Sequence, residues 1–218
     1  MRRHRRAGFA PEMYVFPGGR VDVSDAAPAA LARLEGLTPA MAEERLGIRD
    51  ADPPAVAYYL AALREAFEET GILVGSLQDG APPPTAAEDP AVERVRDDLM
   101  EGRIDFAGAL ASIECRLAGD ALEYFAHWIT PRRLPRRFDA RFFAARVEGG
   151  TEPIVDLREM THARWITPAE ALAEHERGAL AMILPTVRTL EKLQPFSEAT
   201  EALRALAIET VVTILPDD

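Results

Sequence analysis

LREAFEETGIL, residues Leu63 to Leu73, is the most informative stretch of this chain of 218 residues. At about 100° per residue, three glutamates of a helix through this stretch fall within one arc of roughly 100°: Glu65, Glu68 and Glu69. The apolar residues of the same helix fall on the opposite side, namely Val56, Tyr59, Leu60, Leu63 and Phe67. The pattern predicts a helix that packs one face on a core and presents three carboxylates on the other.

The flanking residues predict where this helix begins and ends. Asp52 is expected to cap its start, with Pro53 in the first turn, and Gly71 is expected to end it. Carboxylates this close repel one another unless solvent or a cation intervenes. Oxygen ligands in this number suit Mg²⁺ or Mn²⁺ better than zinc. A solvated acidic helix face is the alternative, and the helix alone does not distinguish the two.

Upstream, the stretch YVFPGGRVD (Tyr14 to Asp22) joins a strand-like run to a glycine loop. We predict a strand over residues 13–16 that stops at Pro17, followed by two glycines that let the backbone approach another group closely. Residues 26–50 are rich in alanine with Pro and Gly breaks, which predicts a loop with short helices. The two informative stretches are therefore far apart in the chain.

Both stretches resemble parts of one known motif. REAFEETGI (Arg64 to Ile72) is similar to the second half of the Nudix box, Arg-Glu-apolar-x-Glu-Glu-x-Gly-apolar. GRVDVSD (Gly19 to Asp25) resembles its first half, with Asp25 where the family has Glu. Thirty-eight residues (26–63) intervene where the usual box has seven. The coenzyme A diphosphatases of peroxisomes and their bacterial relatives carry such an insertion, and the chain resembles this subgroup over nearly its full length.

The resemblance implies an α/β (α+β) Nudix fold, with a mixed β-sheet sandwiched between helices. Residues 1–218 would form a single domain with two additions: the insertion 26–50 within the box and a helical lobe at about 76–120. A short strand is expected in ILV (residues 72–74), and further strands in LEYFAHWI, RFDARFFAARV, ARWIT and ETVVTILP. Helices are expected in PAEALAEHERG and LPTVRTLEKL.

The resemblance also implies the site residues. The metal ligands would be the carbonyl of Gly19 and the carboxylates of Glu65, Glu68 and Glu69. Glu65 would alternatively orient the attacking water, and Arg64 would hold a glutamate in place. Many members use one more carboxylate before a late strand, and Glu159, six residues before Trp165, is the candidate here.

The formal net charge of −11 argues against general nucleic-acid binding. Arginine nevertheless concentrates in two segments, the N-terminal basic cluster (residues 1–20) and the central basic cluster (residues 131–146). Such clusters on an acidic protein suggest sites for an anionic small molecule. Arg136 and Arg137 are the expected substrate-binding residues, because guanidinium binds phosphate bidentately. Solubilising surface arginines are the alternative.

The remaining features concern location and partners. The single cysteine, Cys115, excludes an intramolecular disulfide and a cysteine zinc cluster, and we expect a cytoplasmic protein. No apolar run approaches the length of a membrane span, and the first residues lack the hydrophobic core of a signal peptide. The strand expected in ETVVTILP is a candidate for covering a sheet edge in a homodimer.

The function that the resemblance implies is hydrolysis of a nucleoside diphosphate linked to another moiety. Coenzyme A or an acyl-CoA is the leading substrate, giving 3′,5′-ADP and (acyl-)4′-phosphopantetheine. ADP-sugars and NADH are the alternative substrates. A Nudix-like module that binds a nucleotide without cleaving it is the alternative from another class, although Arg64, Glu65, Glu68 and Glu69 are all present.

Overall fold

The structure is a computed structural model that describes residues 1–155, 158 and 160–216. Its helices are α1 (Pro28–Leu31), α2 (Pro39–Leu46), α3 (Ala55–Thr70), α4 (Pro90–Met100), α5 (Phe106–Ser112), α6 (Pro168–Glu176), α7 (Leu184–Leu193) and α8 (Ala199–Ala207). Its strands are β1 (Arg2–Arg3), β2 (Leu34–Glu35), β3 (Gly75–Ser76), β4 (Arg116–Ala118), β5 (Glu123–Ile129), β6 (Asp139–Ala144), β7 (Met160–His162) and β8 (Thr213–Ile214). The expected mixed α/β class is confirmed.

The chain divides into two compact units. The first comprises Met1–Ala121 and Val147–Trp165, and the second comprises Leu122–Arg146 and Ile166–Asp218. The expectation that residues 1–218 form a single domain stays a prediction. Within the described ranges, none of the helices combines the length and the apolar character needed to cross a bilayer.

Two small sheets lie in the first unit. β4 pairs in parallel with β2 and antiparallel with β3, so that Leu117 lies opposite Leu34 on one side and Gly75 on the other. β1 pairs antiparallel with β7, with Arg2 opposite His162. In the same unit, α3 packs against α2, α4 and the short turn Val23–Ala26.

The sheet of the second unit has the strand order β6-β5-β8. β5 and β6 pair antiparallel from Glu123 opposite Ala144 to Ile129 opposite Asp139. β8 pairs with β5 in parallel, with Thr213 opposite His127. The strand expected within residues 209–216 therefore exists over two residues and pairs within the chain. The homodimer stays a prediction.

The amphipathic character predicted for α3 is confirmed. Its apolar face is buried in the first unit: Val56, Tyr59, Leu60, Leu63 and Phe67 are each no more than 2% exposed. Burying a side chain of this size stabilises the fold by roughly 1.5–3 kcal/mol. Because this face is fixed in the core, the opposite face of α3 holds its glutamates at defined positions.

The ends of α3 follow the predictions in part. Gly71 ends the helix with a left-handed φ of 71°, and its N–H donates to the carbonyl of Phe67 over 2.8 Å. The expected cap at Asp52 is wrong, because the helix begins at Ala55 after Pro54. A residue that precedes proline is disfavoured in helical conformation, so Pro53 cannot enter the helix ahead of Pro54.

Three predicted strands fall elsewhere in the structure. In residues 13–16, Tyr14 forms only an isolated bridge to Arg2. Pairing near residues 72–74 occurs instead at β3, opposite β4. The strand expected at residues 163–167 lies earlier, at β7, because its partner β1 lies opposite Met160 and His162. Thr167 instead caps α6 by accepting a hydrogen bond from the N–H of Glu170.

The two segments expected to be additions contain the predicted helices. Residues 26–50 hold α1 and α2, and the lobe at 76–120 holds α4 and α5. The lobe also ends in a strand, β4, which joins it to the small sheet of the first unit. The helix α8 in residues 199–207 was not among the sequence-based predictions.

Candidate active site

The guanidinium of Arg64 joins the two halves of the box. Its Nε donates to Asp25 Oδ1 over 2.8 Å and its Nη2 donates to Asp25 Oδ2 over 3.1 Å, a two-point ion pair. Nη2 also donates to the carbonyl of Arg20 over 2.7 Å. Although residues 26–63 separate the two halves in sequence, the glycine loop and the glutamate helix are therefore in direct contact.

Asp25 is held for this contact by its own segment. It lies in a short 3₁₀ turn, Val23–Ala26, and is 1% exposed. Its Oδ2 accepts a second hydrogen bond, from the N–H of Asp22 over 2.7 Å. Aspartate is one methylene shorter than the glutamate of the family pattern, yet its carboxylate reaches both Nε and Nη2 of Arg64.

Arg64 also contacts two of the three glutamates. Its Nη1 donates to Glu65 Oε1 and to Glu68 Oε2, each over 2.9 Å. Burial alone would lower the pKa of Arg64, but the hydrogen bond to Asp25 and the charges of Asp25, Glu65 and Glu68 outweigh it and raise that pKa. Arg64 therefore stays positively charged among these carboxylates.

The carboxylates of Glu65 and Glu68 are destabilised in their charged forms. Burial raises the pKa of Glu65 to about 7, against the attraction of Arg64 and with a further rise from the charge of Glu68. Burial likewise raises the pKa of Glu68. Two desolvated carboxylates that accept from the same guanidinium nitrogen form an environment in which an added cation is favoured.

The glycine loop packs closely against the glutamate face of α3. The N–H of Gly18 donates to Glu69 Oε2 over 3.0 Å, and Glu69 is 6% exposed. A Cβ placed on Gly19 would lie 2.2 Å from Oε1 of Glu65. Only glycine permits this approach of backbone to carboxylate.

The end of α3 is held by residues from other segments. The Nε of Arg96, in α4, donates to the carbonyl of Glu68 over 2.8 Å and to that of Phe67 over 3.2 Å. The N–H of Ile154 donates to the carbonyl of Thr70 over 2.8 Å. Sequence analysis missed Arg96. Its position between Val92 and Leu99, on the apolar face of α4, could have indicated a buried arginine.

Three further residues were predicted for the site: Glu159, Arg136 and Arg137. Glu159 lies outside the described residues. Arg136 and Arg137 belong to the second unit, in the loop between β5 and β6. The guanidinium of Arg136 lies 5.4 Å from the centre of the Phe138 ring, and Nε of Arg137 donates to the carbonyl of Thr130 over 3.1 Å. Their role toward a substrate stays a prediction.

The donor chemistry of the cluster fits a divalent cation. Its candidate ligands are oxygens of Gly19, Glu65, Glu68 and Glu69, the ligand type that Mg²⁺ and Mn²⁺ prefer. In residues 1–155, 158 and 160–216, no group of three acidic, histidine or cysteine side chains is arranged as a metal cluster. Glu65 and Glu68 contact Arg64 instead, and Glu69 contacts Gly18.

Comparison with known proteins agrees with this architecture. The family model described as the NUDT19 Nudix domain matches residues 1–193. A crystal structure of a NUDIX hydrolase from Alicyclobacillus acidocaldarius superposes with a TM-score of 0.75 at 28% identity, covering 95% of this chain and 87% of that one. The fold and the joined box thus define the class as that of the Nudix hydrolases, and the predicted enzyme class is confirmed. The chain belongs to the NUDT19 Nudix domain family.

Two curated relatives carry a more specific name. The acyl-coenzyme A diphosphatase NUDT19 of Homo sapiens is 29% identical over 229 residues, which cover 92% of this chain and 61% of that protein. The protein of the same name from Xenopus laevis is 24% identical over 229 residues, which cover 92% of this chain and 60% of that protein. The chain spans between 54% and 62% of the length of four curated relatives that it matches.

Proposed function

We propose that this chain is a metal-dependent diphosphatase that cleaves coenzyme A or acyl-CoA to 3′,5′-ADP and (acyl-)4′-phosphopantetheine. The observation that carries the proposal is the contact between Arg64 and Asp25, because it assembles one box from two distant segments. The relatives named acyl-coenzyme A diphosphatase support the substrate class. The match covers only part of their length, so the substrate remains our inference.

Glu65, Glu68, Glu69 and the Gly19 carbonyl would hold Mg²⁺ or Mn²⁺. When bound, such a cation neutralises diphosphate charge and lowers the pKa of coordinated water. Arg64 keeps Glu65 and Glu68 side by side, and the Gly18 N–H fixes one oxygen of Glu69. Glu65 would alternatively orient the attacking water and accept its proton.

The substrate assignment combines this cluster with the arginine-rich segments. Coenzyme A carries a diphosphate for the box and a 3′-phosphate that requires cationic partners. We assign Arg136 and Arg137 to phosphate contacts on the basis of guanidinium chemistry. Dephospho-coenzyme A should then be the poorer substrate, because the groups facing the missing phosphate would be left unpaired.

A panel of diphosphate compounds tests the proposal. Coenzyme A, acetyl-CoA, dephospho-coenzyme A, ADP-ribose and NADH would each be incubated with the purified protein and Mg²⁺ or Mn²⁺, and products would be identified by mass. We expect 3′,5′-ADP from the first two at the highest kcat/KM. Far faster cleavage of ADP-ribose or NADH would replace the coenzyme A assignment with the alternative substrates.

The same panel of compounds distinguishes an enzyme from a module that binds a nucleotide without cleaving it. A binding module would bind a nucleotide, measured by calorimetry, while releasing no product with either cation. We disfavour it because Arg64 and all three glutamates are retained and in contact with the glycine loop or with one another.

A further inference from the structure

The last turn of α3 carries two of the three glutamates, and its carbonyls need partners from outside the helix. The final carbonyls of any helix lack intrahelical donors. The carbonyl of Phe67 accepts from Gly71, and the carbonyl of Thr70 accepts from Ile154. The carbonyl of Glu68 accepts from Arg96 Nε over 2.8 Å, a donor that belongs to the helical lobe at 76–120.

Arg96 is an unusual residue for this position. It is 4% exposed, and arginine is almost never fully buried unless its charge is matched. Its neighbours on the inner face of α4, Val92 and Leu99, are also buried. A positive charge at the carboxyl end of a helix is favoured by the helix dipole. Arg96 therefore meets the partial negative charge at the end of α3.

We infer that Arg96 is a positioning residue for the metal site: it fixes the last turn of α3 from the helical lobe and thereby sets the positions of Glu68 and Glu69. The backbone of Glu68 is bonded to Arg96, while its side chain is bonded to Arg64. Displacement of this turn would move both carboxylates relative to the glycine loop. The inference rests on the proposed function, because it assumes that these glutamates hold the cation.

The chain offers a matched control. Arg33, a half-buried arginine of the first unit, likewise donates to main-chain carbonyls near the end of a helix: its Nη1 donates to those of Leu110 and Cys115 over 3.4 and 3.3 Å. Leu110 lies within α5 and Cys115 follows it, and α5 carries none of the candidate ligands. Arg33→Met removes comparable hydrogen bonds without touching α3, so the control separates positioning of the site from general stability.

The test measures cation binding directly. Titration of Mn²⁺, followed by calorimetry and by electron paramagnetic resonance of the free ion, would compare the full chain with Arg96→Met, Arg96→Lys and Arg33→Met. We expect Arg96→Met to weaken Mn²⁺ binding by about 10- to 100-fold, the range for residues that orient metal ligands. Arg33→Met should stay within about twofold of the parent. Arg96→Lys should be intermediate, because an ammonium keeps the charge but loses the planar fork.

The outcomes distinguish failure of the positioning role of Arg96 from failure of the proposed function. Parent-like Mn²⁺ affinity in folded Arg96→Met would overturn the positioning role while leaving the proposed function intact. Equal weakening in Arg33→Met would also overturn it, because the effect would then be general. Absence of Mn²⁺ binding in the parent chain would instead refute the proposed function. If circular dichroism shows Arg96→Met unfolded, Arg96→Lys decides, and parent-like affinity in that variant overturns the role.

Discussion

Gly19 lies against Glu65 so closely that a Cβ on the glycine would fall 2.2 Å from the carboxylate oxygen Oε1. Gly19→Ala should therefore displace Glu65, and a misplacement of about 1 Å can lower kcat by roughly 100-fold. Steady-state kinetics with coenzyme A would measure the loss. Gly149→Ala is the control, because a Cβ there meets no atom within 4 Å. Equal kcat in the two variants would contradict a catalytic position for Glu65.

The pair of Asp25 and Arg64 should contribute strongly to stability. Both residues are buried, so Asp25→Asn would remove the two-point counter-charge of Arg64 and leave it with Glu65 and Glu68, at a cost of about 3 kcal/mol in the free energy of unfolding. Urea denaturation would measure this cost. Asp98→Asn is the matched control, because Asp98 pairs with Arg103 at the exposed surface and should cost no more than about 1 kcal/mol. Similar values for both variants would contradict the proposed importance of the buried pair.

Removal of one carboxylate charge should abolish most activity without unfolding the chain. Glu69→Gln keeps an oxygen that can accept from the Gly18 N–H, but it removes charge from the candidate cation site. We expect kcat to fall by several orders of magnitude with Mg²⁺ or Mn²⁺, and circular dichroism to stay unchanged. Glu44→Gln, at an exposed position of α2, should have parent activity. Near-normal turnover of both Glu68→Gln and Glu69→Gln would show that the metal assignment is wrong.

The central basic cluster should affect substrate affinity more than turnover. If Arg136 or Arg137 contacts a substrate phosphate, its replacement by alanine should raise KM for coenzyme A with little change in kcat. Arg204→Ala, on α8, removes the same charge outside the cluster and serves as the control. Unchanged KM in both Arg136→Ala and Arg137→Ala would show that these are solubilising surface arginines and do not bind the substrate.

Cys115 should resist alkylation in the folded protein. Its side chain is buried, and burial raises the pKa of the thiol from 9.0 to about 11. Burial disfavours the thiolate, so at pH 8 the reactive fraction falls about 100-fold relative to an exposed thiol. Mass spectrometry after iodoacetamide treatment should show slow labelling of the native chain and rapid labelling in urea. Equal rates in the two states would show that the first unit opens readily around Cys115.

The successes of sequence analysis lie where the signal is local. The buried stripe of α3 follows from its helical period, and Gly71 ends the helix because a left-handed φ suits glycine. The contacts that Gly19 and Asp25 make with α3 were implied by the resemblance to a motif. No spacing in the chain would have given that contact, because the intervening segment is too long for local rules.

The failures lie where structure depends on a distant partner. Apolar runs at residues 13–16, 72–74 and 163–167 have strand composition, but a strand also requires a neighbour with free backbone groups. Residues 2–3 provide that neighbour to residues 160–162, so pairing occurs before the predicted run. Arg96 escaped notice for the same reason, since its partners lie 28 and 29 positions away.

The insertion within the box has a consequence for how the protein folds. Closing a flexible loop costs about (3/2)RT ln n, so thirty-eight residues in place of seven add about 1.5 kcal/mol of chain entropy to bringing Asp25 onto Arg64. The helices α1 and α2 shorten the flexible part, and α2 packs on α3. Contacts of such sequence separation form late in folding. We therefore expect α3 to form before Asp25 reaches Arg64, so that catalytic competence depends on completion of the fold.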